Sequence, residues 1–146
     1  MKVLSLLQPW ATLVVMGVKQ IETRSWSTTY RGPLLIHASK GKAGETIANE
    51  PPFKKYIPSF KQLPFGYIIG KVLLTDVISA GHNPLLHTSD EMLNNLTMEE
   101  KAFGDYTPRR FAWILQDPVA FKKPIAARGR LALWEFDEGL IDESPD

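Results

Sequence analysis

Three side chains that could do chemistry together lie in the short segment 19–24. Lys19 follows a predicted helix end and opens a predicted strand. Glu22 and Arg24 are two residues apart on that strand, so their side chains project from the same face. A lysine, a carboxylate and a guanidinium group in one turn-and-strand unit can hold a ligand or, with Glu22 as general base, activate water. A surface salt bridge worth about 0–1 kcal/mol would show the same spacing.

Trp26 bears on the choice between these readings. It shares the predicted face with Glu22 and Arg24, whereas Thr23 alternates to the opposite face. A large aromatic side chain beside two opposite charges is typical of a half-buried surface or of a pocket floor. The spacing alone leaves a surface salt bridge and a binding site equally open.

The flanking sequence predicts the elements that must position these side chains. Residues 2–7 read as a strand, and Pro9 starts a helix that Gly17 stops. The strongest strand signal is at residues 66–78, where Gly70 predicts a bulge or a close backbone approach. Asp117-Pro118 should bend the chain, and Pro124 should break the strand that follows. The other predicted strands are 21–26, 34–38, 110–115, 119–122 and 130–136, and the other helices are 45–49 and one from Thr88 or Ser89 to about Phe103.

These elements predict a mainly β protein with inserted α-helices (α+β). Six or seven short strands without a βαβ repeat favour a small closed or pseudo-closed β-barrel, which removes sheet edges. Residues 1–136 form one domain in this interpretation, and the acidic segment 137–146 is expected to be a disordered tail.

Charge is unevenly distributed along the chain. The net charge of the 146 residues is +1, but six of the 16 acidic residues lie in the last twelve positions and all 17 basic residues lie at or before Arg130. Such a basic body favours a phosphate-bearing partner, although a solvated surface with an acidic counterweight would look the same. If they share a face, seven basic residues could form a groove for a nucleic-acid backbone: Arg31, Lys40, Lys42, Arg109, Arg110, Arg128 and Arg130.

Several functional classes find no support. The absence of cysteine excludes disulfides, thiolate nucleophiles and cysteine-bound metals. His37, His82 and His87 lack the spacing of a metal site, and no cofactor is predicted. Since no apolar run approaches the ~20 residues of a membrane span and the N-terminus does not resemble a signal peptide, we expect a cytoplasmic monomer without a membrane partner.

The ordered motifs resemble a known family. Ser-x-x-Gln-Pro-Trp-Ala at residues 5–11, Gly-x-Lys-x-Ile-Glu-x-Arg-Ser-Trp at 17–26 and Tyr-Arg-Gly at 30–32 are similar to the signature of the ASCH domain, the activating signal cointegrator homology domain. Weaker similarity continues to Leu133-Trp134. The family is related to PUA domains, which bind RNA. The resemblance therefore implies a PUA-like β-barrel with a cleft beside the first helix, lined by the motif residues.

The resemblance also implies an enzymatic alternative. Some bacterial members are amidohydrolases that remove acyl groups from the exocyclic amine of cytidine, using a lysine, a threonine three residues later and a distant glutamate. The lysine corresponds to Lys19, but the threonine position holds Glu22 and the neighbouring Thr23 could serve only on a bulged strand. Glu91, Glu99 and Glu100 remain open as the distant glutamate.

The sequence thus predicts a module that binds RNA, another single-stranded nucleic acid, or a nucleoside or nucleotide, with deacylation of acylated cytidine as the alternative. The candidate catalytic residues are Lys19, Glu22 and Thr23. The residues predicted to line the ligand cleft are Gln8, Trp10, Lys19, Glu22, Arg24, Trp26 and Lys40.

Overall fold

The computed structural model of the protein describes residues 1–79, Leu93 and residues 95–141. Within them the strands are β1 (Lys2–Leu6), β2 (Ile21–Arg24), β3 (Gly32–Ala38), β4 (Tyr67–Ser79), β5 (Phe111–Ala126) and β6 (Leu133–Glu135). The helices are α1 (Trp10–Val15), α2 (Glu45–Ala48) and α3 (Met98–Phe103), with 3-10 turns at Phe60–Gln62 and Glu138–Leu140. None of the helices in this part of the chain is long and apolar enough to cross a membrane.

The six strands form one curled sheet in the order β2-β5-β4-β3-β1-β6. β1 and β3 are parallel, and every other neighbouring pair is antiparallel. The sheet closes to a half-barrel around buried side chains of β1, β3, β4, β5 and α1, among them Leu6, Val14, Ile36, Leu74 and Trp113. The predicted mainly β fold with helical insertions is confirmed.

Gly70 is the point where helix and sheet approach most closely. A Cβ atom added there would lie 2.2 Å from the Val119 carbonyl oxygen and 2.7 Å from Val15 Cγ1. The pairing of β4 with β5 also shifts register between Ile68 and Gly70. The predicted bulge or close approach is therefore confirmed, and it seats α1 directly on the sheet that carries the charged segment.

β5 corrects one prediction. The chain does not divide at Asp117-Pro118 and Pro124 but continues as one strand through both prolines. Asp117 takes the bend with a φ of 51°. Pro118 and Pro124 both fall where the pairing of β5 with β4 shifts register, so neither proline occupies a paired position of that ladder.

The helix predicted from Thr88 or Ser89 to Phe103 is also different. Its predicted start lies outside the described residues. The described helix, α3, begins after Thr97, whose extended backbone and Oγ1, which accepts a hydrogen bond from the Glu100 N–H, form an N-cap. At the other end of the chain, residues 137–141 include a 3-10 turn, and Ile141 packs against the cluster of Trp134.

Candidate functional site

A cavity of about 260 Å³ opens beside β2. Its wall is built from five parts of the chain: the start of α1, strand β2, helix α2, the end of α3 with the turn that follows, and the residue before β5. The lining residues are Leu7, Trp10, Glu22, Thr23, Arg24, Ile47, Ala102, Phe103, Gly104, Asp105 and Arg110. Of the cleft predicted from sequence, the cavity contains Trp10, Glu22 and Arg24.

Lys19 lies beneath this cavity. In the turn after α1, the backbone N–H of Lys19 donates to the Leu13 carbonyl, and this directs the Lys19 side chain inward. The residue is only 1% exposed. Its Nζ donates to the Ile21 carbonyl and lies 3.5 Å from Glu22 Oε1. Lys19 therefore supports the Glu22 carboxylate from below and does not itself reach the cavity.

Arg24 holds the other oxygen of the same carboxylate. Its NH1 atom lies 3.3 Å from Glu22 Oε2, and its guanidinium carbon lies 5.8 Å from the centre of the Trp26 ring. Trp26 in turn packs edge-on against Trp113 at 4.8 Å. The structure thus brings Lys19, Glu22 and Arg24 together, with Trp26 supporting Arg24 outside the cavity wall.

Arg110 adds a second guanidinium group to the cavity. It donates from NH2 to the Thr23 carbonyl at 2.9 Å, and its Nε lies 3.7 Å from Asp105 Oδ2, which is ion-pair but not hydrogen-bond distance. Buried Nε has no hydrogen-bond partner. Asp105 also donates its backbone N–H to Thr23 Oγ1 at 2.8 Å. Arg110 is therefore fixed in the cavity wall by Thr23 and Asp105.

β2 keeps a regular pairing with β5 from Ile21 opposite Ile114 to Arg24 opposite Phe111. No bulge interrupts the strand at Thr23. Its hydroxyl accepts a hydrogen bond from the Asp105 N–H, and Thr23 lines the same cavity as Glu22 and Arg24 rather than facing away from it as the alternation predicted. The bulged strand that the sequence analysis named as the condition for a Thr23 nucleophile is therefore not seen, and the catalytic role of Thr23 stays a prediction.

Two residues predicted to line the cleft have other roles. Gln8 is fully buried, with Nε2 donating to the Pro64 carbonyl at 2.9 Å and Oε1 accepting from the Thr12 N–H at 3.0 Å. Gln8 is therefore part of the scaffold that fixes the start of α1. Lys40 lies at a different groove, described below. Trp10 does line the cavity, and its ring packs edge-on against Phe53.

Glu100 contacts the charged segment directly. Its Oε1 accepts from the Gln20 N–H at 2.8 Å, while Oε2 is buried without a hydrogen-bond partner. Burial raises the pKa of Glu100, and the backbone N–H bond and the charge of Lys19 oppose the rise. The hydroxyl of Tyr106 is likewise buried and unpartnered, and its pKa is raised by burial and by the charges of Glu100 and Glu22.

Of the other two glutamate candidates, the structure describes only Glu99. Glu99 lies on the surface, where it pairs with Lys55 and accepts from the Tyr56 hydroxyl at 2.7 Å. Glu91 lies outside the described residues. Sequence reasoning could not choose among the three. The Thr97 N-cap could have distinguished Glu99 from Glu100 in the sequence. It fixes the start of α3, so that the Glu100 side chain points inward and the Glu99 side chain points outward.

We expect Glu100→Gln to stabilise the protein increasingly as pH rises. The pKa of Glu100 is raised in the folded protein, so at intermediate pH the folded protein binds more protons than the unfolded chain. The contribution of Glu100 to the free energy of unfolding therefore falls as pH rises through its folded-state pKa. Glutamine keeps an oxygen for the Gln20 N–H but carries no charge. Urea unfolding of wild type and variant from pH 4 to pH 8 measures the difference, and Glu50→Gln, at an exposed position, is the matched control. A variant that is less stable at every pH would contradict the expectation.

A second, larger groove of about 880 Å³ lies where β1 and β3 end. Lys40, Arg128 and Arg130 line it, together with Ser5, His37, Ser39, Gly66, Ala126, Ala127, Gly129 and Leu131. The predicted basic residues are therefore distributed over several places. Lys42 lies over the Phe65 ring, and Arg31, at the opposite end of β3 from Lys40, pairs with Asp76. Arg109 lies just before the start of β5, whereas Arg128 follows the end of the same strand.

Comparison with known proteins identifies the class. Three crystal structures of the ASCH protein from Zymomonas mobilis, two of them mutant proteins, superpose with TM-scores of 0.56, 0.55 and 0.54, at 16–18% identity, over 94% of this chain and 88–90% of theirs. The protein is thus a PUA-like half-barrel.

The family follows from the sequence match. The model of the ASCH domain matches residues 4–125, and the chain belongs to this family. Activating signal cointegrator 1 from Homo sapiens is 27% identical over 143 residues and that from Mus musculus 26%, covering 94% of this chain. The chain spans only 22% of the length of these relatives.

Proposed function

We propose that this ASCH domain is a nucleic-acid or nucleotide-binding module whose ligand enters the cavity beside β2. The observation that carries the proposal is the grouping of Arg24, Arg110, Trp10 and Glu22 in one wall. Guanidinium groups bind phosphate oxygens in a planar, bidentate manner. An indole ring can stack on an unpaired base, and a carboxylate can accept a hydrogen bond from an exocyclic amine.

One segment of the chain, which carries Lys40 and Lys42, connects the cavity with the second groove, so both could contact the same strand of nucleic acid. Leu7 lines the cavity, and a Cβ atom at Gly41 would lie 2.7 Å from Leu7 Cδ2, so the segment that carries Lys40 and Lys42 passes directly beside it. Lys40 then lines the groove of Arg128 and Arg130. An ASCH domain with a PUA-like fold is consistent with an RNA-binding module. These features support a single strand lying across both sites.

The test is binding of a fluorescein-labelled single-stranded RNA followed by anisotropy at several salt concentrations. Affinity should fall steeply with salt. Arg24→Ala combined with Arg110→Ala should weaken binding at least about 10- to 100-fold and lower the salt slope by about one for each phosphate contact removed. Arg31→Ala, on the remote end of β3, is the matched arginine control and should leave affinity within about twofold.

Two outcomes would count against this function. No retention of any oligonucleotide at low salt would remove the binding-module proposal. An Arg31→Ala loss equal to that of the double variant would mean that affinity reflects overall charge and not the cavity.

We also propose deacylation of acylated cytidine as a second candidate, because the Glu22 carboxylate lines the cavity and is held between Lys19 and Arg24. In this reaction Glu22 accepts a proton from water as the water oxygen attacks the acyl carbon. Arg24 stabilises the oxyanion that forms; the acyl C–N bond then breaks, Glu22 passes its proton to the departing amine of cytidine, and the acyl group leaves as a carboxylic acid. Lys19 holds the Glu22 carboxylate in position. The regular β2 strand favours activated water over attack by Thr23.

A further inference from the structure

A chain of hydrogen bonds runs through the wall of the second groove. Trp134 Nε1 donates to Ser5 Oγ at 3.1 Å, Ser5 Oγ lies 3.0 Å from His37 Nδ1, and His37 Nε2 lies 2.7 Å from the Ala127 carbonyl. The ends of this chain define its direction, since an indole N–H can only donate and a carbonyl can only accept. Neutral His37 therefore carries its hydrogen on Nε2, and Ser5 donates to Nδ1.

The same chain holds the basic segment in place. The Ala127 carbonyl is the acceptor at its end, and Arg128 and Arg130 follow directly. A Cβ atom at Gly129 would lie 2.8 Å from His37 Cε1, so the backbone between the two arginines rests on the edge of the imidazole ring. His37 is thus in contact with the segment that carries two of the three cations of the groove.

The surroundings of His37 oppose a positive charge on it. The residue is 1% exposed, and its pKa is lowered by burial, with partial compensation from the bond to Ala127. Lys40 from the end of β3 and the two arginines are the charged side chains that line the groove, and no carboxylate lines it within the described residues. On β6, Glu135 already pairs with Lys2 and the N-terminal ammonium group.

Protonation of His37 would also reverse one bond of the chain. Nδ1–H would donate to Ser5 Oγ, which already accepts from Trp134, and the Ser5 hydrogen would have to turn elsewhere. Ser5 lines the groove, so this hydrogen can point into it. An anion there would supply both the missing acceptor and a charge that offsets the three cations.

We propose that this groove binds phosphates of a nucleic-acid strand and that His37 takes up a proton as they bind, with Ser5 donating to the bound phosphate. The inference rests on the proposed nucleic-acid-binding function. Proton and phosphate then assist each other reciprocally, because each increases the affinity for the other by the same factor. Affinity for the strand rises as pH falls from neutrality through the pKa of His37 in the complex.

The experiment compares binding of a labelled oligouridylate of about twelve nucleotides at about pH 7.5 and about pH 5.5 at constant ionic strength. Its bases do not titrate in this range. Wild type should bind about three- to tenfold more tightly at the lower pH, which corresponds to a pKa rise of up to about one unit. An NMR titration of the His37 imidazole with and without the oligouridylate should show this rise directly.

Three variants test the assignment. His37→Gln and Ser5→Ala should each remove most of the pH dependence, whereas His82→Gln with His87→Gln should retain it. A pH dependence that persists in His37→Gln, or a His37 pKa that the oligouridylate does not raise in wild type, would overturn the proposal. The NMR result stands even if a variant fails to fold. Absence of binding at both pH values would instead overturn the proposed function itself.

Discussion

Lys19→Met is expected to destabilise the protein by about 3–5 kcal/mol, the usual cost of removing one partner of a buried ion pair. The Lys19 side chain is buried, and its Nζ serves both the Ile21 carbonyl and Glu22 Oε1. Its loss removes the side-chain donor of the Ile21 carbonyl and leaves Glu22 Oε1 with the Thr23 N–H, at 3.2 Å, as its remaining donor. Because Arg24 still holds Glu22 Oε2, we expect a value near the lower end of that range. Urea unfolding measures the change.

A double variant separates the ion pair from simple packing. Lys19→Met with Glu22→Leu removes both buried charges and should recover part of the stability, because Arg24 is partly exposed and can turn to water. Lys61→Met, on the surface, is the matched control and should change stability by less than about 0.5 kcal/mol. A Lys19→Met variant as stable as this control would mean that Glu22 needs no support from below.

Glu22→Gln is expected to reduce turnover of acylated cytidine about 10²- to 10⁴-fold if the protein is a deacylase, the usual contribution of a general base. Glutamine can accept the hydrogen bond of Arg24 but cannot take a proton from water. Thr23→Ala should retain most of the activity, since the Thr23 hydroxyl faces the Asp105 N–H. The assay incubates purified protein with acylated cytidines and follows the release of cytidine.

The two substitutions distinguish two mechanisms. An inactive Thr23→Ala with an active Glu22→Gln would restore the threonine mechanism of the bacterial relatives. A wild-type protein that releases no cytidine from any acylated nucleoside would leave binding as the function, with Glu22 and Arg24 as ligand contacts.

Local spacing was enough to predict much of this structure. The two-residue interval between Glu22 and Arg24 placed them on one face of β2, and the turn after Gly17 brought Lys19 to the same carboxylate. Gly70 marked a close approach because a strand interior has few other uses for glycine. In each case the contact partners are near in sequence or the residue type has a narrow physical meaning.

Contacts between residues that are distant in sequence could not be predicted. Arg110 reaches the Thr23 carbonyl only because β5 pairs with β2, and nothing near Arg110 indicates that strand partner. The inward orientation of Glu100 depends on the exact start of α3. A one-residue error in that start would predict Glu99, and not Glu100, as the buried glutamate. The burial of Lys19 is equally hidden, because a lysine between a helix and a strand is usually solvated.

The outer half of β5 has a consequence for how this protein behaves at high concentration. Among the described residues, no strand covers the side of residues 116–126 that faces away from β4. Such an edge would normally recruit a strand from a neighbouring molecule and extend the sheet between copies. Pro118 and Pro124 cannot donate to a new ladder, and Lys122 adds a charge between them. We therefore expect the two prolines within β5 to make its open side a poor template for a strand from a second molecule.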